Sequence, residues 1–231
     1  MFDKERTHMP LSTIPNATLK LTKWPIAALM VLLLPGVVMA LGTLSVEIFR
    51  VPDPLYYFAG GAIAYGILWQ ILLKRRFMGS FFSTFEHELT HALFAWLTLH
   101  RVTGLKTTWS QGGEMRYRGQ GNWLISIAPY WFPTLCIPFI VLSGLGQFDG
   151  AVWVAPAFGA TFAYHITSTI RETHRQQTDL QKTTFLFAWA FLPSANLISA
   201  GFIIAYAHSG LDAAVSFVDL SWQNTMAFVQ R

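Results

Sequence analysis

Residues 77–100 read FMGSFFSTFEHELTHALFAWLTLH, an apolar run interrupted by a polar motif. It is long and apolar enough to cross a bilayer, yet it carries His87-Glu88-Leu89-Thr90-His91 in its interior. On a helix His87 and His91 lie one turn apart on one face, so both imidazoles reach a single metal ion. Glu88 projects beside them, where a carboxylate serves as general base toward a metal-bound water. The same face continues with small or polar residues: Ser80, Ser83, Thr84, Ala95 and Thr98. Phe81, Phe82, Phe85, Leu89, Leu93, Trp96 and Leu97 fall on the other side. This division predicts a helix whose motif faces the inside of a bundle and whose bulky residues face lipid or neighbouring helices. A carboxylate at mid-membrane costs about 2.5–3.5 kcal/mol on insertion scales. Glu86 and Glu88 both carry that cost, which marks the stretch as functional.

The chain around it has the composition of a membrane protein. Of its 231 residues 53% are hydrophobic and 12% charged, against about 25% charged in soluble domains. Mean hydropathy is +0.40. The net charge of +4 is modest and its basic residues cluster at segment ends, which fits anchoring in a lipid bilayer and not nucleic-acid binding. Cys136, the single cysteine, lies in an apolar run and reads as a small buried residue.

The expected architecture is an all-α polytopic membrane protein of about six transmembrane segments. There is no internal repeat, so residues 1–231 form one membrane-embedded domain: a polar leader (1–23), a helical bundle (24–207) and an interfacial tail (208–231). The spans are expected at 24–44, 55–73, 77–100, 122–145, 151–170 and 183–207, with Pro35-Gly36 as a kink and Asp149-Gly150 as a turn. Lys4, Arg6, Lys20 and Lys23 precede the first span and Lys74-Arg75-Arg76 ends the second, which puts both ends in the cytoplasm. His87 then lies about 15 Å deep along its helix. Between the third and fourth spans, Leu105, Thr107 and Trp109 alternate with polar residues, as do Met115 and Tyr117. With Gln111-Gly112-Gly113 as turn chemistry, this reads as a short β-hairpin; an ordinary exposed loop is the other reading.

The H-E-L-T-H-A-L helix, the Gly-rich segment after it and the further apolar spans resemble the site-2-protease-type (M50-like) intramembrane zinc metallopeptidases, and most of all their small bacterial members. The family's G-P signature is not present in its usual form, Ala128-Pro129 being the nearest text, and its N-x-x-P and L-D-G signature, the usual source of the third zinc ligand, is absent. The resemblance implies an integral protein of the bacterial inner membrane that hydrolyses peptide bonds of membrane-inserted substrates. Zn²⁺ would be held by His87, His91 and a later aspartate, Glu88 would act as base, and the hairpin would offer an edge to an extended substrate. The alternative is a catalytically inactive relative acting as a partner-binding or scaffold protein.

A catalytic zinc needs a third protein ligand. His165, Glu172 and Asp179 are spaced by seven and share a face if one helix carries them all. Seven residues of helix rise about 10 Å, so at most one binds unless the helix breaks. Depth favours His165; the resemblance favours Asp179; Glu172 and His174 remain as further candidates.

Overall fold

The computed structural model describes residues 11–73, 79–108, 112–146 and 152–230. Lys4, Arg6, Lys74-Arg75-Arg76, Trp109, Gln111 and Asp149-Gly150 lie outside them. The first helix, α1 (Thr13–Arg50), stays helical through Pro25 and Pro35. It is followed by α2 (Tyr56–Leu68), continued by a π-helical turn at Trp69–Leu73, and by α3 (Gly79–Leu97). Next come β1 (Val102–Thr108) and β2 (Gly112–Tyr117), then α4 (Trp123–Ile127) and α5 (Ile137–Gly144), separated by two short 3₁₀ turns. The chain closes with α6 (Val154–Glu172), α7 (Thr178–Thr183) and α8 (Phe185–Val229).

Among the described residues two helices, α1 and α8, are long and apolar enough to cross a membrane. The pair Trp123–Tyr130 and Thr134–Gly144, bent by 74°, makes a third if it is a single broken span. The described residues thus hold two or three such spans, against the six expected. The expected second span is α2 continued by its π turn, and α3 and α6 carry the polar residues described below.

The structure adds detail at both chain ends. Helix α1 begins at Thr13, so the described part of the polar leader forms its first turns. The Asn16 amide donates to the Gln120 carbonyl at 2.7 Å, and Trp123 Nε1 donates to the Leu19 carbonyl at 2.7 Å. These tertiary bonds hold a polar stretch that has little apolar pattern of its own. Ser209 and Gly210 leave the helical region, Gly210 at φ 80° and ψ −165°, and the chain reverses. A Cβ at Gly201 would fall 2.1 Å from the Phe217 ring, so the limb 211–229 packs back along the limb 185–208. Its Ala214, Phe217, Ser221 and Thr225 are buried, and Thr225 meets Gly36 of α1, where a Cβ would sit 2.1 Å from the hydroxyl. Small residues that let backbones approach are how helices pack where lipid supplies no hydrophobic drive. The α2–α6 pair repeats the device, with Gly61 under the Pro156 carbonyl and Gly159 under that of Phe58.

The hairpin is present. β1 and β2 pair antiparallel, Leu105 opposite Met115 and Thr108 opposite Gly112, with an irregularity between Val102 and Gly104. Both strands lie against α3. A cluster of Trp123, Ile127, Tyr130, Phe187 and Phe191 joins α4 to α8 and takes in Leu180 of α7, which is 2% exposed. That anchor fixes the short helix carrying Asp179.

Candidate metal centre

The burial of α3 follows the predicted division. Ser83, Glu86, His87, Thr90, His91, Ala95 and Thr98 are buried, whereas Phe82, Phe85, Trp96 and Leu97 are exposed on the outside. His87 and His91 stack edge-on with ring centroids 4.7 Å apart.

The histidines are oriented by the broken segment and by α6. The helical partner of the Ile125 carbonyl would be the N–H four residues on, but that residue is Pro129, which has none. The orphaned carbonyl instead accepts from His91 Nδ1–H at 2.7 Å. The break frees other carbonyls too: Asn196 Nδ2 donates to that of Tyr130 at 3.0 Å, and His165 donates to that of Trp131. His165 is therefore buried as a partner of broken-helix backbone, and among the described residues it is not part of the metal-ligating group.

His87 Nδ1–H donates to Glu172 Oε2 at 2.7 Å. Ser83 and Ser168 in turn donate to Glu172 Oε1. With both Nδ1 atoms so committed, the Nε2 lone pairs of His87 and His91 face one carboxylate oxygen, Asp179 Oδ2, at 3.8 and 3.3 Å. His87, His91 and Asp179 each offer a ligand atom within 4.8 Å of the others. Two ligands each about 2 Å from a tetrahedral zinc lie roughly 3.3 Å apart, so the donor set fits that ion in type and in spacing. Three lone-pair-bearing atoms converging in this way are satisfied by a cation between them.

The spacing of seven resolves through a break in the helix. α6 ends at Glu172, Thr173 leaves helical geometry, and the chain is extended at Gln177 before α7 begins. Glu172 and Asp179 thereby approach the histidines from different elements. Asp179 meets the Nε2 atoms, and Glu172 meets the far nitrogen of His87, where a carboxylate fixes tautomer and ring orientation. His174 bonds locally to the Gln176 N–H and to Gln177 and stays out of the group. Burial of Asp179 opposes its charged form. Lys182 Nζ, which donates to Asp179 Oδ1 at 3.0 Å, favours that form.

Glu88 is half-buried and accepts a hydrogen bond from the Met115 backbone N–H of β2. Gly113 crosses so close that an added Cβ would stand 2.6 Å from Glu88 Cγ and 2.6 Å from Thr84 Cγ2. A cavity of about 580 Å³ opens here, with His87, Glu88, His91 and Asp179 on one side and Gly113 and Met115 on the other. Glu86 points elsewhere: it is buried on the Thr90 and Thr134 hydroxyls. Sequence reading missed three contributors, namely Glu172 as a support, the Ile125 carbonyl, and Tyr130, which packs edge-on against His87 at 5.3 Å. Of these only the carbonyl had a sequence signal, the proline four residues after it.

No curated protein and no solved structure matches the chain. The Peptidase M50B-like family matches residues 58–174, a region that includes α3, the hairpin and Glu172 but stops short of Asp179. Because that match spans just over half of its length, the chain belongs to the Peptidase M50B-like family, and so to the site-2-protease-type M50 membrane proteins with a metallopeptidase-type fold.

Proposed function

We propose that this protein is an intramembrane zinc metallopeptidase of the bacterial inner membrane, a multi-pass protein that cleaves membrane-inserted protein substrates. The observation that carries the reading is the set of three converging ligand atoms, His87 Nε2, His91 Nε2 and an Asp179 carboxylate oxygen, beside a carboxylate that is not in the set. Zinc bound there would polarise the scissile carbonyl and acidify a water molecule. His87 and His91 would hold it with rings fixed by Glu172 and the Ile125 carbonyl. Glu88 would take the proton of the attacking water and deliver it to the leaving amine. The Met115 N–H, bonded to Glu88, would keep that carboxylate aimed into the cavity. The β-hairpin would align an extended substrate by main-chain hydrogen bonds beside the base. An inactive scaffold would need neither a free base nor a supported ligand set, so the catalytic reading is preferred.

Removing metal provides the direct test. Purified protein in detergent should carry about one zinc per chain and cleave a membrane-spanning model peptide. Chelation should abolish cleavage, and added zinc should restore it; cleavage that persists in metal-free protein would sink the reading.

Gly113 supplies a second expectation. Gly113→Ala must displace Glu88 or lift β2, since its Cβ would overlap Glu88 Cγ. Turnover should fall about 10²-fold, as expected of a misplacement near 1 Å, while zinc content is unchanged. Normal turnover would show that the hairpin does not set the position of the base.

A further inference from the structure

A second cavity, about 650 Å³, lies beside the metal-site cavity and shares Tyr117, Ser126 and Lys182 with it. Its lining includes Lys20, Lys23 and Lys182, and among the described residues no aspartate or glutamate. Lys182 is bonded to Asp179 Oδ1 at 3.0 Å, whereas no ion pair is formed by Lys20 or Lys23 among the described residues. Lys23 instead rests its ammonium over the rings of Trp24 and Phe187 at 5.5 and 5.1 Å. The wall is built, not incidental. Asn122 Nδ2 donates to Asn16 Oδ1 at 2.9 Å, and the Asn16 and Trp123 bonds already described lock the start of α1 onto the α4 region.

β2 connects the two cavities. It passes over Glu88 at Gly113 and Met115 and reaches the shared wall at Tyr117. Strand residues advance about 3.3 Å each, so Tyr117 is roughly 7–13 Å along from the residues over the base. A substrate strand lying beside β2 would enter the lysine-lined cavity two to four residues from its scissile bond.

Resting on the peptidase reading, we propose that this cavity is a specificity subsite for a carboxylate of the substrate, an Asp or Glu side chain two to four residues from the cleaved bond, held by Lys20 and Lys23. Two partly exposed ion pairs together are worth roughly tenfold in selectivity.

The test is cleavage-site profiling of a mixed peptide library by the zinc-loaded protein in nanodiscs of neutral phosphatidylcholine, repeated with phosphatidylglycerol added. Acidic residues should be enriched at one position within four residues of the cut. Lys20→Gln with Lys23→Gln should remove that enrichment at unchanged zinc content, and Lys20→Glu with Lys23→Glu should turn it toward Lys and Arg. Absent enrichment, or enrichment unchanged in both double variants, overturns the proposal while leaving peptidase activity intact. A preference for acidic peptides that survives in the variants while their dependence on phosphatidylglycerol is lost also overturns it, and assigns the cavity to a lipid headgroup. If no peptide is cleaved, the peptidase reading itself fails. The subsite is then judged by fluorescence anisotropy of an acidic peptide and its Gln analogue on zinc-loaded protein: binding that is acid-selective and lysine-dependent supports it, and equal binding overturns it.

Discussion

Glu88→Gln is expected to retain about one zinc per chain and to lower peptide hydrolysis by about 10²–10⁴-fold, the range supplied by a positioned general base. The amide keeps the shape of the side chain and its acceptor oxygen, so the hydrogen bond from the Met115 N–H survives. It loses the ability to take a proton. His87→Ala and His91→Ala should behave differently, because each removes a candidate ligand nitrogen and leaves Asp179 facing one imidazole in place of two. Both should lose zinc and activity together. Metal content by mass spectrometry alongside turnover separates the two classes. Equal loss of zinc in all three variants would remove Glu88 from the role of base and make it a ligand.

How much of this was legible depends on whether the signal is local. The orientation of α3 was readable because a 3.6-residue period divides Phe82, Phe85 and Trp96 from Ser83, His87 and His91, and burial follows that division. The hairpin was readable from alternation flanking a glycine pair, although the role of Gly113 was not. As a turn residue it looked generic, and its need for no side chain arises from Glu88 across the interface. The start of α1 was illegible for a similar reason. Asn16 and Leu19 are fixed by Gln120 and Trp123, about a hundred positions away. The reversal at Ser209-Gly210 had a local signal in the glycine, but the packing of Phe217 onto Gly201 had none. Least legible was the division of labour between Glu172 and Asp179. The stretch between them has neither Gly nor Pro, so sequence offers no reason for the break. The ends of α6 and α7 are set by what Glu172 and Leu180 must reach.

That division yields the most discriminating expectation. Asp179→Asn should lose most zinc affinity and all but residual activity, because an amide oxygen replaces the anionic carboxylate facing both Nε2 atoms. Glu172→Gln should be milder: the His87 ring loses its anionic partner but keeps an acceptor, and such supports are worth about 10–100-fold in metal affinity. His165→Ala should leave zinc bound, since its bond goes to the Trp131 carbonyl, and its cost should appear as lower thermal stability. Were Asp179 only a first-turn acid of α7, asparagine would replace it well, at a lost dipole interaction of about 0.3–1 kcal/mol. Zinc titration of the three variants therefore ranks them, with affinity falling most in Asp179→Asn and least in His165→Ala. A zinc-replete, active Asp179→Asn protein beside a zinc-free Glu172→Gln protein would reverse the assignment. It would make Glu172 the ligand and Asp179 the support, a swap requiring His87 to turn its Nδ1 toward the metal.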